Sequence, residues 1–300
     1  MDLHAIDLYQ WEGGFWYTLP RLQATIAMQN HFKAHDDDVI LASSMRTGTT
    51  WINALIPCIM APRVPSLEKE QEPLFTNHPN ALTPSLEIQI YTESPTPNLS
   101  EIPSPRLFRT HLPYQALPES VKKSDCRIIY MRRNPKDTFV SMWHFKNTAR
   151  SDEEGSFPIE EAFESFCDVH PFGPMFDYVL EYWKVSLEKP GKILFLNYEE
   201  MKHDPKRQLK RLAEFLGRPF DKEEDVDKVL WRCSLERLKG LDVNREGVDP
   251  WSGMAHSAYF RRGAVGDWQN HLTVEMAARL DEVTCMKLEG SGLNFQKPIN

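Results

Sequence analysis

Arg46, Thr47, Gly48, Thr49 and Thr50 form a short run in which one glycine allows close backbone approach and the threonines add hydroxyl donors. Where a strand feeds a helix, such a loop turns its backbone N–H groups and the positive helix end toward an anion. A Gly–Thr–Thr turn taken alone is equally a hydroxyl-capped helix start, so the run leaves both readings open. The triphosphatase pattern GxxxxGK[ST] is absent: no glycine stands five residues before Gly48, and Thr49 occupies the lysine position. Arg132 and Arg133 follow an apolar run, with Ser141 about two helical turns later, and Arg261 and Arg262 precede Gly263. Such pairs are usually solvated surface charge, but local guanidinium groups in a chain of formal net charge −8 suit a small polyanion, phosphate above all. His111 stands before Leu112 and Pro113. An imidazole with an ordinary pKa of ~6.5 is suited to take a proton from a hydroxyl, although an isolated histidine is as readily structural.

The elements that must hold these groups are visible in the apolar pattern. Val39–Ala42 reads as a buried strand running into the glycine loop, and Trp51–Ile56 as a helix perturbed at Pro57. Arg106–Thr110 reads as a strand ending at His111. Cys126–Met131 reads as a strand ending at the first arginine pair, with Pro135 opening a helix through Trp143. Further on, Ile159–Phe166 and Met175–Leu187 have helical periodicity and Ile193–Leu196 reads as a strand. Pro205–Leu216 is a helix closed by Gly217, and the last helix runs from Thr273 to Leu288. Four strands with intervening helices predict an α/β fold: a central parallel sheet flanked by helices, with a P-loop-like strand–loop–helix site. No linker divides the chain, so residues 1–300 are expected to form one domain. Its expected irregular parts are a flexible N-terminal segment of about 1–15, a Pro-rich surface excursion of about 62–105 and a late loop of about 240–266.

Composition bounds the function. Lys+Arg 35 against Asp+Glu 43 and a pI near 5.7 disfavour a dedicated nucleic-acid binder, while 41% hydrophobic residues exclude disorder as the main state. Five scattered cysteines contain no CxxC pair and read as reduced, mostly buried thiols. The N-terminus lacks a basic and then apolar leader, and no apolar stretch of about 18 residues occurs, so the expected compartment is the cytoplasm.

Together these segments resemble the cytosolic sulfotransferase family, whose sulfuryl donor is 3′-phosphoadenosine 5′-phosphosulfate (PAPS). MRTGTTW resembles the family's PKSGTTW loop, RIIYMRRNPKDTFVSMWHF its 3′-phosphate segment, and FRRGAVGDWQNHLT its RKGxxGDWKxxFT segment. YQWEGGFWY and RLQATIAMQNHFKAHDDDVILAS look most like the plant members.

The resemblance implies that Thr47, Gly48, Thr49 and Thr50 cradle the donor's 5′-phosphate, with Trp51 near the adenine. It assigns Arg133, Ser141, Arg261, Arg262 and Gly263 to the 3′-phosphate. Tyr198 matches the family's adenine-side tyrosine, and Cys233, Ser234 and Leu235 match its T-S-F segment with two substitutions. His111 matches the catalytic base. The loop lysine of relatives is Arg46 here, a cation that is longer and planar, and Arg109 stands where many animal relatives carry a second lysine. Acceptor contacts are expected from His111, Phe15, Trp16, Trp143 and His144, together with Trp11 and Trp251.

The implied co-substrate is PAPS, the product 3′,5′-bisphosphoadenosine (PAP), and no metal is expected. The implied partner is a hydroxylated small molecule, such as a flavonoid, steroid, hydroxy acid or desulfoglucosinolate, and neither nucleic acid nor membrane. The animal dimer pattern KxxxTVxxxE becomes Gln269, Thr273, Val274 and Ala278, so a monomer or weak dimer is expected. Two other readings stay open: a P-loop nucleotide kinase, and a nucleotide-binding member whose turnover is reduced or lost through Arg46.

Overall fold

A computed structural model of the chain describes residues 8–11, 15–61, 72–151, 153–168 and 175–295. Strands β1 (Leu8–Trp11) and β2 (Phe15–Thr18) form an antiparallel hairpin. Four further strands, β3 (Val39–Ser43), β4 (Leu107–Thr110), β5 (Arg127–Arg132) and β6 (Ile193–Asn197), form a parallel sheet in the order β4-β3-β5-β6. Strands covered on both faces need near-continuous apolar sequence, and all five residues of β3 and of β6 are buried. Alternation sorts them: Ile40, Phe108, Ile128, Tyr130 and Phe195 pack on one face against helices Leu19–His31 and Met175–Glu188. Val39, Leu41, Ile129, Met131 and Leu196 pack on the other, against helices Thr49–Met60 and Pro205–Phe215.

The chain passes from β3 to β4 on one side of the sheet and then crosses to β5 on the other, which makes the C-terminal end of β3 a topological switch point. Open α/β sheets gather ligands at such an end, because loops diverge there and leave a crevice. All four parallel strands and the fold class match those expected from the apolar pattern.

Three expectations need correction. The helix after the glycine loop continues through Pro57 to Met60, since an interior proline removes one N–H donor and the next turn recloses with Ala61 N–H donating to Pro57 O at 2.8 Å. Within 62–105, residues 72–93 are not a surface excursion. Pro73 and Pro79 start short helices, Leu86–Ile90 forms a π-helical turn, and Leu74, Leu86 and Tyr91 are buried. Within 1–15, Leu8–Trp11 is paired strand, and the remaining residues up to Gly14 lie outside the described set. The cysteines are free thiols, but only Cys126 and Cys233 are buried, and Cys285 is exposed.

Candidate active site

Loops from the C-terminal edge of the sheet meet around a cavity of about 410 Å³. The loop after β3 contributes Arg46, Gly48, Thr49 and Thr50, with Trp51 on the first turn of the helix that follows. Gly48 adopts φ 111°, and a Cβ there would stand 2.8 Å from Tyr198 Cδ2, so only glycine fits both the backbone and the contact. Among the described residues no backbone carbonyl accepts from the N–H groups of Gly48, Thr49 or Thr50, which leaves them open to an anion.

Arg46 has φ 65°, in the left-handed region that side chains seldom enter. Its Nε donates to Ser141 Oγ at 3.2 Å, and its guanidinium lies 4.2 Å from the Phe145 ring centroid. Burial, reinforced by Arg133, pushes its pKa down to about 10, which leaves it cationic at neutral pH. Arg133 follows β5 and ties three segments together. Its Nη1 donates to Arg46 O at 3.3 Å, its Nη2 to Ala264 O at 3.0 Å, and its guanidinium covers the Tyr198 ring at 4.6 Å. Its Nε is buried without a partner, a vacancy that an anionic ligand would fill.

The late loop is anchored by two carboxylates that sequence reasoning did not single out. Asp267 takes Arg261 at 2.6 Å and Arg262 at 2.5 Å. Burial works to raise its pKa, but Arg261, Asn270 and Arg262 together hold the carboxyl at about 2. Asp137 accepts from Gly266 N–H at 2.7 Å and Trp268 N–H at 3.1 Å, which fastens the loop to helix Pro135–Asn147. Gly263, at φ 57°, packs where a Cβ would meet Leu235 Cδ2 at 2.8 Å. Ser234 caps helix Leu235–Gly240 by accepting from Arg237 N–H at 3.3 Å. With Trp51 edge-on to Tyr198 at 5.8 Å, and Leu230 and Leu238 nearby on the lining, this part of the cavity is an apolar slot beside the arginines.

His111 follows β4. Its Nδ1 lies 2.7 Å from Ser43 O, and a carbonyl can only accept, so Nδ1 carries the proton and Nε2 keeps a free lone pair. Its backbone N–H donates to Glu87 Oε1 at 2.8 Å, and Glu87 is itself buried. Burial pushes the imidazole pKa down to about 4 against the opposing effect of Glu87, so the ring is neutral at physiological pH.

Not every expected residue reaches the cavity. Thr47 is buried with its hydroxyl donating to Ser44 O at 2.8 Å, because the loop turns that side chain back on itself. Trp143 donates from Nε1 to Phe157 O at 2.8 Å, and His144 faces His271 with Nε2 atoms 3.3 Å apart, and neither is on the cavity lining. Trp16 is half-buried in the hairpin and also off the lining, while the side chains of Phe15 and Trp11 lie outside the described residues. Arg132 alternates away from Arg133 and is fully buried, donating to Asn294 O at 3.2 Å. His144, Asp267 and His271 bring ligand atoms within 4.8 Å of one another, but Asp267 is already neutralised by two guanidinium groups.

Arg21, Asn80, Ile88, Asp249, Ser252 and Tyr259, which the sequence did not mark, also line the cavity. Asp137 had a legible signal, since it stands four residues after Arg133 in the first turn of the helix that Pro135 opens, where an acidic side chain suits the helix N-terminus. Glu87 had none.

Sheet order, the glycine loop at a helix start and the surrounding arginines define an α/β protein of the P-loop-like class. The sulfotransferase domain family matches residues 36–292, and the chain belongs to that family. It is a sulfotransferase. Cytosolic sulfotransferase 6 of Arabidopsis thaliana is 44% identical over 288 residues, which cover 94% of this chain and 88% of that one. An Arabidopsis thaliana protein of known crystal structure superposes with a TM-score of 0.75 at 35% identity, covering 98% of this chain and 93% of that chain. Mouse sulfotransferase SULT7A1, solved in complex with PAP, superposes with a TM-score of 0.71 at 26% identity and covers 95% of this chain and 96% of that one. No helix among the described residues is long and apolar enough to cross a membrane.

Proposed function

We propose that this sulfotransferase moves a sulfuryl group from PAPS to a hydroxyl of a small-molecule acceptor in the cytoplasm, with His111 as the base. The observation that carries this reading is the meeting, in one cavity, of the open N–H groups after Gly48, the Arg133 group with its buried unpaired Nε, and a neutral histidine whose Nε2 is free. The 5′-phosphate would sit on the loop of Gly48, Thr49 and Thr50. Arg133, Ser141, Arg261 and Arg262, with Gly263, would take the 3′-phosphate. Trp51, Tyr198, Ser234 and Leu235 would frame the adenine in the apolar slot. Names borne by similar proteins agree: the plant relative is called cytosolic, and the mouse enzyme was solved with PAP.

The acceptor oxygen attacks sulfur in line. A new O–S bond forms, the proton passes to His111 Nε2, and the S–O bond to the 5′-phosphate breaks, with its electron pair leaving on PAP. Fixed cations stabilise charge that spreads over the transferring oxygens, and Arg46 is the loop cation placed for this. Incubation with PAPS and a panel of hydroxylated acceptors, followed by mass spectrometry of PAP and sulfated product, tests the reading. Equal amounts of both are expected. Tight PAP binding with no turnover for any acceptor would replace it with a nucleotide-binding role, and phosphate transfer from ATP would replace it with a kinase.

A further inference from the structure

The charge on the cavity lining is uneven. Among the described residues, seven lysine and arginine side chains line it against a single carboxylate, Asp249. Four of the cations, Arg46, Arg133, Arg261 and Arg262, belong to the phosphate side. Lys202 lies over the Trp51 ring at 5.6 Å on the apolar slot. Arg21 stands 4.0 Å from Glu87. The remaining one, Arg109, is only 5% exposed, and among the described residues its side chain makes no ion pair and no hydrogen bond; its Nε is buried and unsatisfied.

The two carboxylates that act electrostatically on Arg109 form no ion pair or hydrogen bond with it among the described residues. Glu87 accepts from His111 N–H and faces Arg21. Asp249 Oδ1 accepts from Trp251 N–H, Ser252 N–H and Ser252 Oγ, at 3.0, 2.9 and 3.0 Å, which closes a turn of the late loop. A guanidinium buried without a direct ion pair or hydrogen bond is costly, and a ligand carboxylate in the cavity would supply that contact. Arg109 is two residues before His111 at the end of β4, so both side chains leave the same side of the chain, roughly 7 Å apart along it.

Resting on the sulfuryl-transfer reading, we propose that the acceptor is a hydroxylated carboxylic acid, whose carboxylate is held by Arg109 while its hydroxyl is presented to His111. The spacing suits a compact molecule whose two groups are separated by a ring or a short chain. Arg109 is then a specificity-determining residue and adds no chemistry at sulfur.

The test compares hydroxyphenyl and hydroxyalkyl carboxylic acids with their own methyl esters, and with neutral alcohols of matched size, under PAPS. The wild-type chain is expected to favour each acid over its ester by about tenfold or more in kcat/KM, mainly through KM. In Arg109→Met the acid-to-ester ratio is expected to fall to about 1, with Arg109→Lys retaining part of the preference. Esters or neutral alcohols sulfated as well as the acids by the wild-type chain would overturn the proposal and leave sulfuryl transfer standing. So would an Arg109→Met variant that slows acid and ester equally through kcat. No product from any acceptor would overturn the transfer reading and this proposal with it.

Discussion

At the scale of single residues, the chemistry follows from what each side chain can and cannot donate. His111 has its Nδ1 proton fixed on Ser43 O, so its free Nε2 is the proton acceptor, and burial keeps the ring neutral far below the usual imidazole range. The acid limb of kcat/KM in the free enzyme is therefore expected near pH 4, well below ~6.5; a limb at the ordinary value would remove His111 from the base role. His111→Ala is expected to lower kcat by about 100-fold to 10,000-fold while PAP affinity stays nearly constant. For Arg133→Ala, the expected loss is about 10-fold to 100-fold in affinity for PAP, with much less for adenosine 5′-phosphate, because the missing guanidinium reads the 3′-phosphate. Equal losses for the two nucleotides would place Arg133 elsewhere. Arg46 departs from the lysine of the family motif, yet its bond to Ser141 and its stacking on Phe145 use the planar guanidinium. Arg46→Lys keeps the charge but forfeits both contacts, and turnover is expected to change by less than about tenfold, against about 100-fold or more for Arg46→Ala.

At the scale of elements, the site exists because parallel strands end together and one glycine lets the chain turn tightly beneath Tyr198. Gly48→Ala forces a Cβ to 2.8 Å from Tyr198 Cδ2 at a φ that alanine avoids. It is expected to cost about 1–3 kcal/mol of stability in denaturant melts and to weaken PAP binding as well. Much of this scale was legible in the sequence. Apolar runs of four residues marked β3, β5 and β6, because strands buried on both faces cannot be written otherwise, while β4 offered only Leu107 and Phe108 between two arginines. The glycine loop and both arginine pairs stood out in the sequence, although each alone also fitted a helix cap or solvated surface charge. What stayed hidden depends on long-range packing. Glu87 lies in a Pro-rich stretch with no periodicity, and only the fold brings it to His111 N–H. Trp143 and His144 were expected among the acceptor-pocket aromatics, yet helix geometry turns successive residues by about 100°, and Ser141 and Phe145 line the cavity while these two do not.

At the scale of the whole molecule, a chain of net charge −8 concentrates cations inside one cavity, so its acidic surface and its anion site are separate features. Buried neutral histidines set its acid stability. His78 is held down to about 3 and His111 to about 4, both chiefly by burial. Each folded-state pKa lies below the unfolded value of ~6.5, so the unfolded chain binds more protons in that window and stability falls as pH drops from about 6.5 toward 4. On the order of 2 kcal/mol per histidine is expected to be lost by pH 5, and a melting temperature flat between pH 7 and 5 would contradict these environments. Saturating PAP is expected to raise the melting temperature by mass action, because the site assembles loops from all four parallel strands. The most direct measurement of the central claim is calorimetric titration of the whole chain with PAP, with ATP and magnesium as the comparison. Tight one-to-one binding of PAP, with ATP bound far more weakly, is the expected result; preference for ATP, or no binding of either nucleotide, would contradict the account.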